Sequence, residues 1–124
     1  MNKISADNKT AKLGELLVQL DLLDNDVQAA PPIYDSGNDL IAVKSDVFKA
    51  VQIKTEGPNS ASWTVPDDRL YHILALVKLD ANVFHSRIYY LEKSNALAMG
   101  LSSIRASLSA EYQMPGSKSL FETS

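Results

Sequence analysis

The stretch NDLIAVKSDVFKAVQIKTEG, residues 38–57, constrains the fold of this chain more than any other part of the sequence. Two apolar runs, Leu40–Val43 and Val47–Thr55, flank a polar break at Ser45-Asp46. Short runs rich in β-branched residues on either side of a polar break are typical of two antiparallel strands joined by a turn. The stretch therefore predicts a β-hairpin.

The hairpin brings three polar side chains to one of its ends. With a two-residue turn, Asp39 lies opposite Gln52, and directly opposed residues point to the same face of a sheet. Lys54 lies on that face as well, because side chains alternate along a strand. The rest of the face is apolar and predicts a buried surface formed by Ile41, Val43, Phe48 and Ala50. This arrangement depends on register, since a shift of one residue would move Asp39 to the other face.

Apolar residues at helical spacing mark both ends of the chain. Residues 7–24 predict a helix with Asp7 at its N-cap. Its main apolar stripe comprises Leu13, Leu16, Leu17, Leu20 and Leu23, and Glu15 falls within a second stripe formed by Ala11, Val18 and Leu22. From Ser94 onward a further helix is predicted from the spacing of Leu97, Leu101, Ile104 and Leu108. The residues after about Pro115 are expected to fray.

Three more strands are predicted outside the hairpin, at Val27–Tyr34, Leu70–Leu79 and Arg87–Leu91. The first contains Pro31 and Pro32, which restrict it to an irregular or edge strand. The second is almost continuously apolar, which is typical of a strand covered on both faces.

Length and composition predict one domain spanning residues 1–124. The chain is 45% hydrophobic and 22% charged, which is ordinary for a globular protein. It has no cysteine, which excludes disulfides and thiolate metal sites. The polar N-terminus lacks the apolar core of a signal peptide and no apolar run approaches ~20 residues, so we expect a cytoplasmic protein without a membrane partner. The net charge of −3 argues mildly against nonspecific coating of nucleic acid, but not against a local basic groove.

A carboxylate, an amide oxygen and an ammonium group at one strand end suit phosphate chemistry. Asp39 is a hard oxygen ligand for Mg²⁺, and Gln52 can offer its side-chain carbonyl to the same ion or to a bound water. Lys54 can hold an attacking water or offset charge that develops on a phosphate. Glu15 can approach from the helix as a further ligand. These residues together favour metal-assisted cleavage of a phosphodiester.

On these residues the chain resembles the PD-(D/E)XK nuclease superfamily. Its members carry a metal-binding Asp on one strand, an acidic residue, a spacer and a Lys on the next, and often a Glu on a preceding helix. The matching segments are Gly14-Glu15, Gly37-Asn38-Asp39-Leu40 and Val51-Gln52-Ile53-Lys54, within residues 11 to about 80. The Gln-x-Lys form is most similar to a branch that includes group I intron homing endonucleases and Holliday-junction-resolvase-like proteins.

The resemblance implies a restriction-endonuclease-like fold of the α/β (α+β) class, with an N-terminal helix and a site-bearing hairpin in a mixed β-sheet flanked by helices. It implies a Mg²⁺-dependent DNA endonuclease, with Mn²⁺ as a substitute. The catalytic residues would be Glu15, Asp39, Gln52 and Lys54, and the metal ligands Asp39, Gln52, Ile53 and Glu15. DNA would be the partner, and a homodimer or higher homo-oligomer, paired through the C-terminal leucine stripe, would supply one site per strand. Candidate contacts to the duplex backbone are Lys44, Lys49, Arg69, Lys78, Arg87 and Lys93.

Two features depart from the family pattern, and other interpretations stay open. Gln52 replaces the usual acidic residue, and no helical pattern follows Thr55 before the next strand. The chain could therefore keep the fold as a catalytically inactive DNA-binding or protein-interaction module. Asp39 could instead cap a loop, and Gln52 and Lys54 could lie on an ordinary solvated strand end. A different hairpin register would leave an unrelated α+β protein.

Overall fold

Five strands form one mixed sheet with a helix against each face. The computed structural model describes residues 5–33, 39–57 and 65–122. In chain order the elements are α1 (Ala6–Asp24), β1 (Gln28–Ala30), β2 (Leu40–Lys44), β3 (Val47–Glu56), β4 (Ile73–Lys78), β5 (Arg87–Glu92) and α2 (Lys93–Ser107). The strand order is β1-β2-β3-β4-β5, with β3 and β4 parallel and the other neighbouring pairs antiparallel. This architecture confirms the predicted α+β class with an N-terminal helix before the strands.

The hairpin has the predicted register. Lys44 lies opposite Val47 and Val43 opposite Phe48, so the turn contains two residues. Ser45 begins this turn with a φ of 55°, in the left-handed region that a tight hairpin turn requires. The pairing therefore brings Asp39 next to Gln52, as expected from the sequence.

The buried face of the hairpin is the opposite of the one predicted. Leu40, Ala42 and Val51 are fully buried, whereas Phe48 on the predicted face is 65% exposed. The reason is the placement of the helices, because α1 packs over β1 and β3, while α2 covers the other face only over β4 and β5. Asp39, Gln52 and Lys54 thus lie on a face of the hairpin that is partly open to solvent.

Of the two apolar stripes on α1, the structure buries the shorter one. Val18 and Leu22 are fully buried, whereas Leu16, Leu20 and Leu23 are exposed. A close contact sets this orientation, since a Cβ atom at Gly14 would lie 1.8 Å from Thr55 Oγ1 on β3. Glycine has no side chain, so the helix backbone can approach the strand more closely at Gly14 than at any leucine. The Gly14 side of the helix therefore faces the sheet.

The ends of the first two elements differ from the prediction. Ser5, rather than Asp7, is the N-cap of α1, and its hydroxyl accepts a hydrogen bond from the Asn8 N–H at 3.1 Å. The predicted strand Val27–Tyr34 is reduced to β1, because the prolines that follow have no N–H to donate to a neighbouring strand. Its predicted end, Tyr34, lies outside the described residues.

The C-terminal part of the chain belongs to the core. Ile104 of α2 is fully buried against the sheet and Leu108 packs against the same cluster, whereas Leu97 is 41% exposed, so at least part of the C-terminal stripe covers its own sheet. Phe121, in a region expected to fray, is fully buried on the α1 side of the sheet. Within the part of the chain that the structure describes, no helix is long and apolar enough to cross a membrane.

A hydrogen bond between Asp21 and Tyr90 joins α1 to β5. The buried Tyr90 hydroxyl donates to Asp21 Oδ2 at 2.6 Å. Burial raises the pKa of the Asp21 carboxyl, although the hydrogen bond from Tyr90 acts in the opposite direction. Burial also raises the pKa of the Tyr90 hydroxyl. The folded protein therefore holds a proton on Asp21 more tightly than the unfolded chain does.

Asp21→Asn is expected to be more stable than the wild type at pH 7, because an amide oxygen still accepts from Tyr90 and no charge is buried. Since the folded-state pKa of Asp21 lies above the unfolded-state value, the wild type loses stability as pH rises from the ordinary carboxyl pKa of ~3.9 through the folded-state pKa. The advantage of the variant should therefore shrink as pH falls through the folded-state pKa, and should be smallest below about pH 4. Urea unfolding of both proteins across this range measures it, and an advantage that is constant with pH would contradict the assignment.

Candidate functional site

The site forms where β2 and β3 separate, and the space between the two strands at this point is called the gap. β2 begins at Leu40, and just before it the Asp39 N–H donates to the Val51 carbonyl at 2.9 Å. The Asp39 carboxylate then turns back, and its Oδ2 accepts from the Ile53 N–H at 2.7 Å. The side chain of Asp39 thus binds a main-chain donor of β3 beyond the end of the paired strands. Its sequence neighbours Gly37 and Asn38 lie outside the described residues.

Gln52 completes the pair that the register predicts. Its Nε2 donates to Asp39 Oδ2 at 3.0 Å, and the residue is 5% exposed. Its Oε1 is buried and has no hydrogen-bond partner among the described residues. Exchanging the two amide atoms would place Oε1 against the carboxylate, so the contact with Asp39 determines the orientation. A buried acceptor left without a partner costs about 1–3 kcal/mol, so a donor or a cation beside Oε1 would be stabilising.

A third oxygen faces the same gap. The N–H and C=O of one strand residue point to the same edge, and the Ile53 N–H points to Asp39. Alternate residues bond to the other neighbour, since the His72 N–H donates to the Ala50 carbonyl and the Leu79 N–H to the Glu56 carbonyl. The Ile53 carbonyl therefore lies on the Asp39 side of β3. Carboxylate, amide and main-chain oxygens are ligand types that hard cations take.

Lys54 lies at the edge of this set. Lys54 follows Gln52 by two residues on β3, which is a rise of about 7 Å, and both side chains lie on the same face of the sheet. It is partly buried, and no ion pair joins it to Asp39 in the described part of the chain. Its ammonium group is therefore not held on the Asp39 carboxylate.

Glu15 approaches from the other face of the sheet. Its carboxylate pairs with Lys12 at 3.4 Å, so it lies on the Lys12 side of the helix, contrary to the prediction. It is one turn before Gln19, whose Nε2 donates to the Ala29 carbonyl of β1 at 3.4 Å. Glu15 therefore lies on the β1 side of α1. The structure brings Asp39, Gln52 and Ile53 into contact and shows no hydrogen bond from Glu15 to any of these three described residues.

The six predicted phosphate-contacting cations lie at two opposite ends of the sheet. Lys78 on β4 and Arg87 on β5 are directly opposed at the end that Lys54 approaches. The others, at the far end, are Lys44, Lys49, Arg69 and Lys93. The distance along β3 from Lys49 to Glu56, the neighbour of Lys78, is about 23 Å. A nucleic-acid backbone with one phosphate at the gap would therefore lie closer to Lys78 and Arg87 than to the other four cations.

The far-end cations have partners of their own. Lys44 pairs with Glu122 at 3.6 Å. The Lys93 ammonium donates to the Arg69 carbonyl at 2.6 Å and lies 4.7 Å from the centre of the Tyr71 ring. These contacts hold Lys44 and Lys93 to the protein surface, and they indicate a structural role for both.

His85 is a residue that the sequence did not mark as part of this region. It lines an open depression of about 430 Å³ together with Lys78 and Arg87. The depression arises because β4 and β5 are antiparallel neighbours, so the segment between them returns to the same end of the sheet. The short spacing between the two predicted strands was the only signal for it, and an isolated histidine in a connecting segment carries little information by itself.

Comparison of the chain with family models, with curated proteins and with solved structures finds no match in any of the three. In the described part of the chain, no three His, Cys, Asp or Glu side chains come together as a metal-binding group. The oxygen atoms at the gap therefore come from the Asp39 carboxylate, the Gln52 amide and the Ile53 main-chain carbonyl. Glu15 pairs with Lys12 instead.

Proposed function

We propose that the protein is a Mg²⁺-dependent DNA endonuclease that hydrolyses phosphodiester bonds, of the homing- or resolvase-like kind. The observation that supports this most is the buried Gln52 Oε1, which has no hydrogen-bond partner among the described residues and belongs to the residue whose Nε2 binds Asp39. A neutral oxygen in this position is favourable when a cation or a bound water lies next to it. The proposal accounts for a buried polar group that packing alone leaves unsatisfied.

Each residue has a distinct part in this proposal. Asp39, Gln52 and Ile53 would hold Mg²⁺ through their oxygens, and Glu15, which lies on the other face of the sheet, is left out of this ligand set. When bound, the ion polarises the phosphodiester and makes a bound water more acidic. Lys54 orients the attacking water and offsets the charge that develops on the phosphate.

Two further cations would hold the substrate. Lys78 and Arg87 lie opposite one another at the end of the sheet that Lys54 approaches, where they can contact the phosphates that flank the reacting one. Such contacts are electrostatic, so DNA affinity should fall as salt concentration rises. Mn²⁺ prefers similar oxygen ligands and should substitute for Mg²⁺.

A second candidate is a catalytically inactive module with the same fold that binds DNA or protein. The observation in its favour is that Asp39 Oδ2 already accepts hydrogen bonds from Gln52 and Ile53. Asp39 then has a structural role, which is to satisfy a main-chain donor where two strands separate. The absence of a charge on Gln52 also weakens the attraction for a cation.

Asp39→Asn separates the two candidates, because it keeps the size of the side chain and an oxygen for the Ile53 N–H but removes the charge. We expect the wild type to nick supercoiled plasmid in Mg²⁺ or Mn²⁺ and not in EDTA, and the variant to be at least about 100-fold slower. We also expect Mg²⁺ at ten times its dissociation constant to stabilise only the wild type, by about 1.4 kcal/mol in thermal unfolding.

The outcomes distinguish the candidates because binding and cleavage are measured separately. DNA binding without a metal response or cleavage, tested on plasmid, linear duplex and branched DNA, would support the inactive module. Equal cleavage by both proteins would indicate a contaminant or a different site, and would overturn the assignment of Asp39.

A further inference from the structure

The turn between β4 and β5 holds an aromatic ring in solvent. Phe84 is 87% exposed and lies in a single turn of 3₁₀-helix, Val83–His85. The Asn82 side chain caps this turn, because its Oδ1 accepts a hydrogen bond from the Phe84 N–H at 3.2 Å. The His85 N–H donates to the Asn82 carbonyl at 2.8 Å. These hydrogen bonds hold the backbone of Phe84 in one conformation, so presenting its ring to a ligand costs little ordering.

Two cations line a depression beside this turn. Lys78 and Arg87 are directly opposed on β4 and β5, and both line the open depression of about 430 Å³ that His85 also lines. Like charges that are directly opposed destabilise a strand pair, and in the described part of the chain neither cation forms an ion pair. Asp80 lines the depression too, but its Oδ2 accepts a main-chain N–H at 3.0 Å. Glu56, opposite Lys78 on β3, is only 6% exposed. An anion between the two cations would therefore relieve their repulsion.

We propose that the turn and the depression together form a nucleotide site for an unpaired DNA strand. The phosphate lies between Lys78 and Arg87, the base stacks on Phe84, and His85 donates a hydrogen bond to the phosphate. A phosphate alone would need no aromatic ring, and an apolar ligand would need no cations. A nucleotide has both an anionic and a flat apolar part, and aromatic side chains hold unpaired bases by stacking. In duplex DNA each base is already stacked between its neighbours, and freeing it costs energy.

The nucleotide site lies on the same face of the sheet as Gln52. Lys78 is in register with Glu56, which is four residues beyond Gln52 on β3 and therefore on its face. Strand rise and strand spacing give about 14 Å between the Cα atoms of Gln52 and Lys78, a distance that about four stacked nucleotides span. A strand with one phosphate at the gap thus reaches the nucleotide site with an unpaired flanking segment. This connection rests on the proposed nuclease function, whereas binding of an unpaired strand does not.

Fluorescence anisotropy of the full chain in EDTA tests the nucleotide site without cleavage. The probes are a dye-labelled oligothymidylate of about 12 nucleotides, a strand of the same length and charge with abasic sites in place of the bases, and the corresponding duplex. We expect the thymidylate to bind at least about tenfold more tightly than the abasic strand, and more tightly than the duplex. Phe84→Ala should weaken binding of the thymidylate about tenfold and leave binding of the abasic strand within about twofold.

Phe48→Ala is the matched control for the aromatic ring. Phe48 is 65% exposed and lies on β3 about 26 Å from Glu56, the neighbour of Lys78, so its removal should change neither affinity. A Phe84→Ala variant that binds the thymidylate as tightly as the wild type would overturn the nucleotide site. A loss in Phe84→Ala that is the same for both single strands would do so as well.

The cations are tested with the same probes. Lys78→Ala and Arg87→Ala should each weaken binding of both single strands by about the same factor, and each should reduce the slope of log affinity against log salt concentration by about 0.7. Lys49→Ala, at the far end of the sheet, should leave both affinities within about twofold of wild type. Circular dichroism checks that each variant stays folded. A wild type that does not bind the thymidylate, or that binds all three probes equally, would overturn the nucleotide site.

Failure of the nucleotide site is distinguishable from failure of the proposed function. A protein that prefers the thymidylate through Phe84 but cleaves no DNA in Mg²⁺ would keep the nucleotide site and overturn the nuclease. A protein that cleaves DNA through Asp39 but is indifferent to Phe84→Ala in binding would keep the nuclease and overturn the nucleotide site.

Discussion

Lys54→Ala is expected to reduce Mg²⁺-dependent DNA cleavage by about 100- to 1,000-fold, the range typical of removing one group that stabilises charge in the transition state. Lys54 lies two residues beyond Gln52 on the same face of β3 and is not ion-paired with Asp39 in the described part of the chain. Its ammonium is therefore available to a phosphate and its bound water. Because Lys54 is not one of the proposed ligands, stabilisation of the protein by Mg²⁺ should remain within about twofold of the wild-type effect.

Lys49→Ala is the matched control for this prediction. Lys49 lies on the same strand, about 16 Å from Lys54 by strand rise, and at the end of the sheet far from the gap. Its removal takes away the same charge but should leave the cleavage rate within about threefold of wild type. The measurement is the single-turnover rate on the best substrate, with DNA affinity determined in parallel. Equal losses in the two variants would mean that Lys54 acts through general attraction for DNA rather than at the reacting phosphate.

Gly14→Ala is expected to destabilise the fold by about 2 kcal/mol. The new Cβ would lie 1.8 Å from Thr55 Oγ1 and 2.9 Å from Thr55 Cβ. Rotation of the threonine can move Oγ1 but not Cβ, so α1 must move away from β3. Overpacking of this kind costs about 1–3 kcal/mol or more, and the better helix propensity of alanine offsets up to about 1 kcal/mol. Thermal or urea unfolding measures the difference.

Two further variants show whether the contact between α1 and β3 is responsible. Gly57→Ala makes the same chemical change where the nearest described atom, Thr10 Cγ2, is 3.9 Å away, so stability should change by less than about 0.5 kcal/mol. Thr55→Ala removes Oγ1 and Cγ2, and in combination with Gly14→Ala it should recover part of the loss in a double-mutant cycle. Additive effects of the two changes would show that the destabilisation arises elsewhere.

The pairing of Asp39 with Gln52 was predictable because it depends on local order. A two-residue turn determines which residues face each other, and the alternation of side chains then assigns Lys54 to the same face. The contact of the carboxylate with the Ile53 N–H was not predictable, since it requires the strands to separate at a particular residue. Glu15 was placed on the correct helix, where its carboxylate pairs with Lys12 rather than with the residues at the gap.

The predicted burial failed wherever one element had two apolar faces. The hairpin has Leu40, Ala42 and Val51 on one face and Ile41, Val43 and Phe48 on the other, so its sequence alone does not say which face meets a helix. In α1 two apolar stripes likewise compete for the core. The structure buries the shorter stripe because Gly14 allows the helix backbone close to Thr55.

Features that depend on neighbours along the chain could be read from the order of the amino acids: the helix at residues 7–24, the hairpin and its register, and the α+β class. The packing of distant elements was needed to show which faces are buried, where the six cations lie, and that Phe121 belongs to the core. The physical reason is that apolar surface is removed from water without regard to direction, so burial depends on which element arrives from elsewhere in the chain. Register, in contrast, depends on the fixed geometry of a short turn and needs no distant partner.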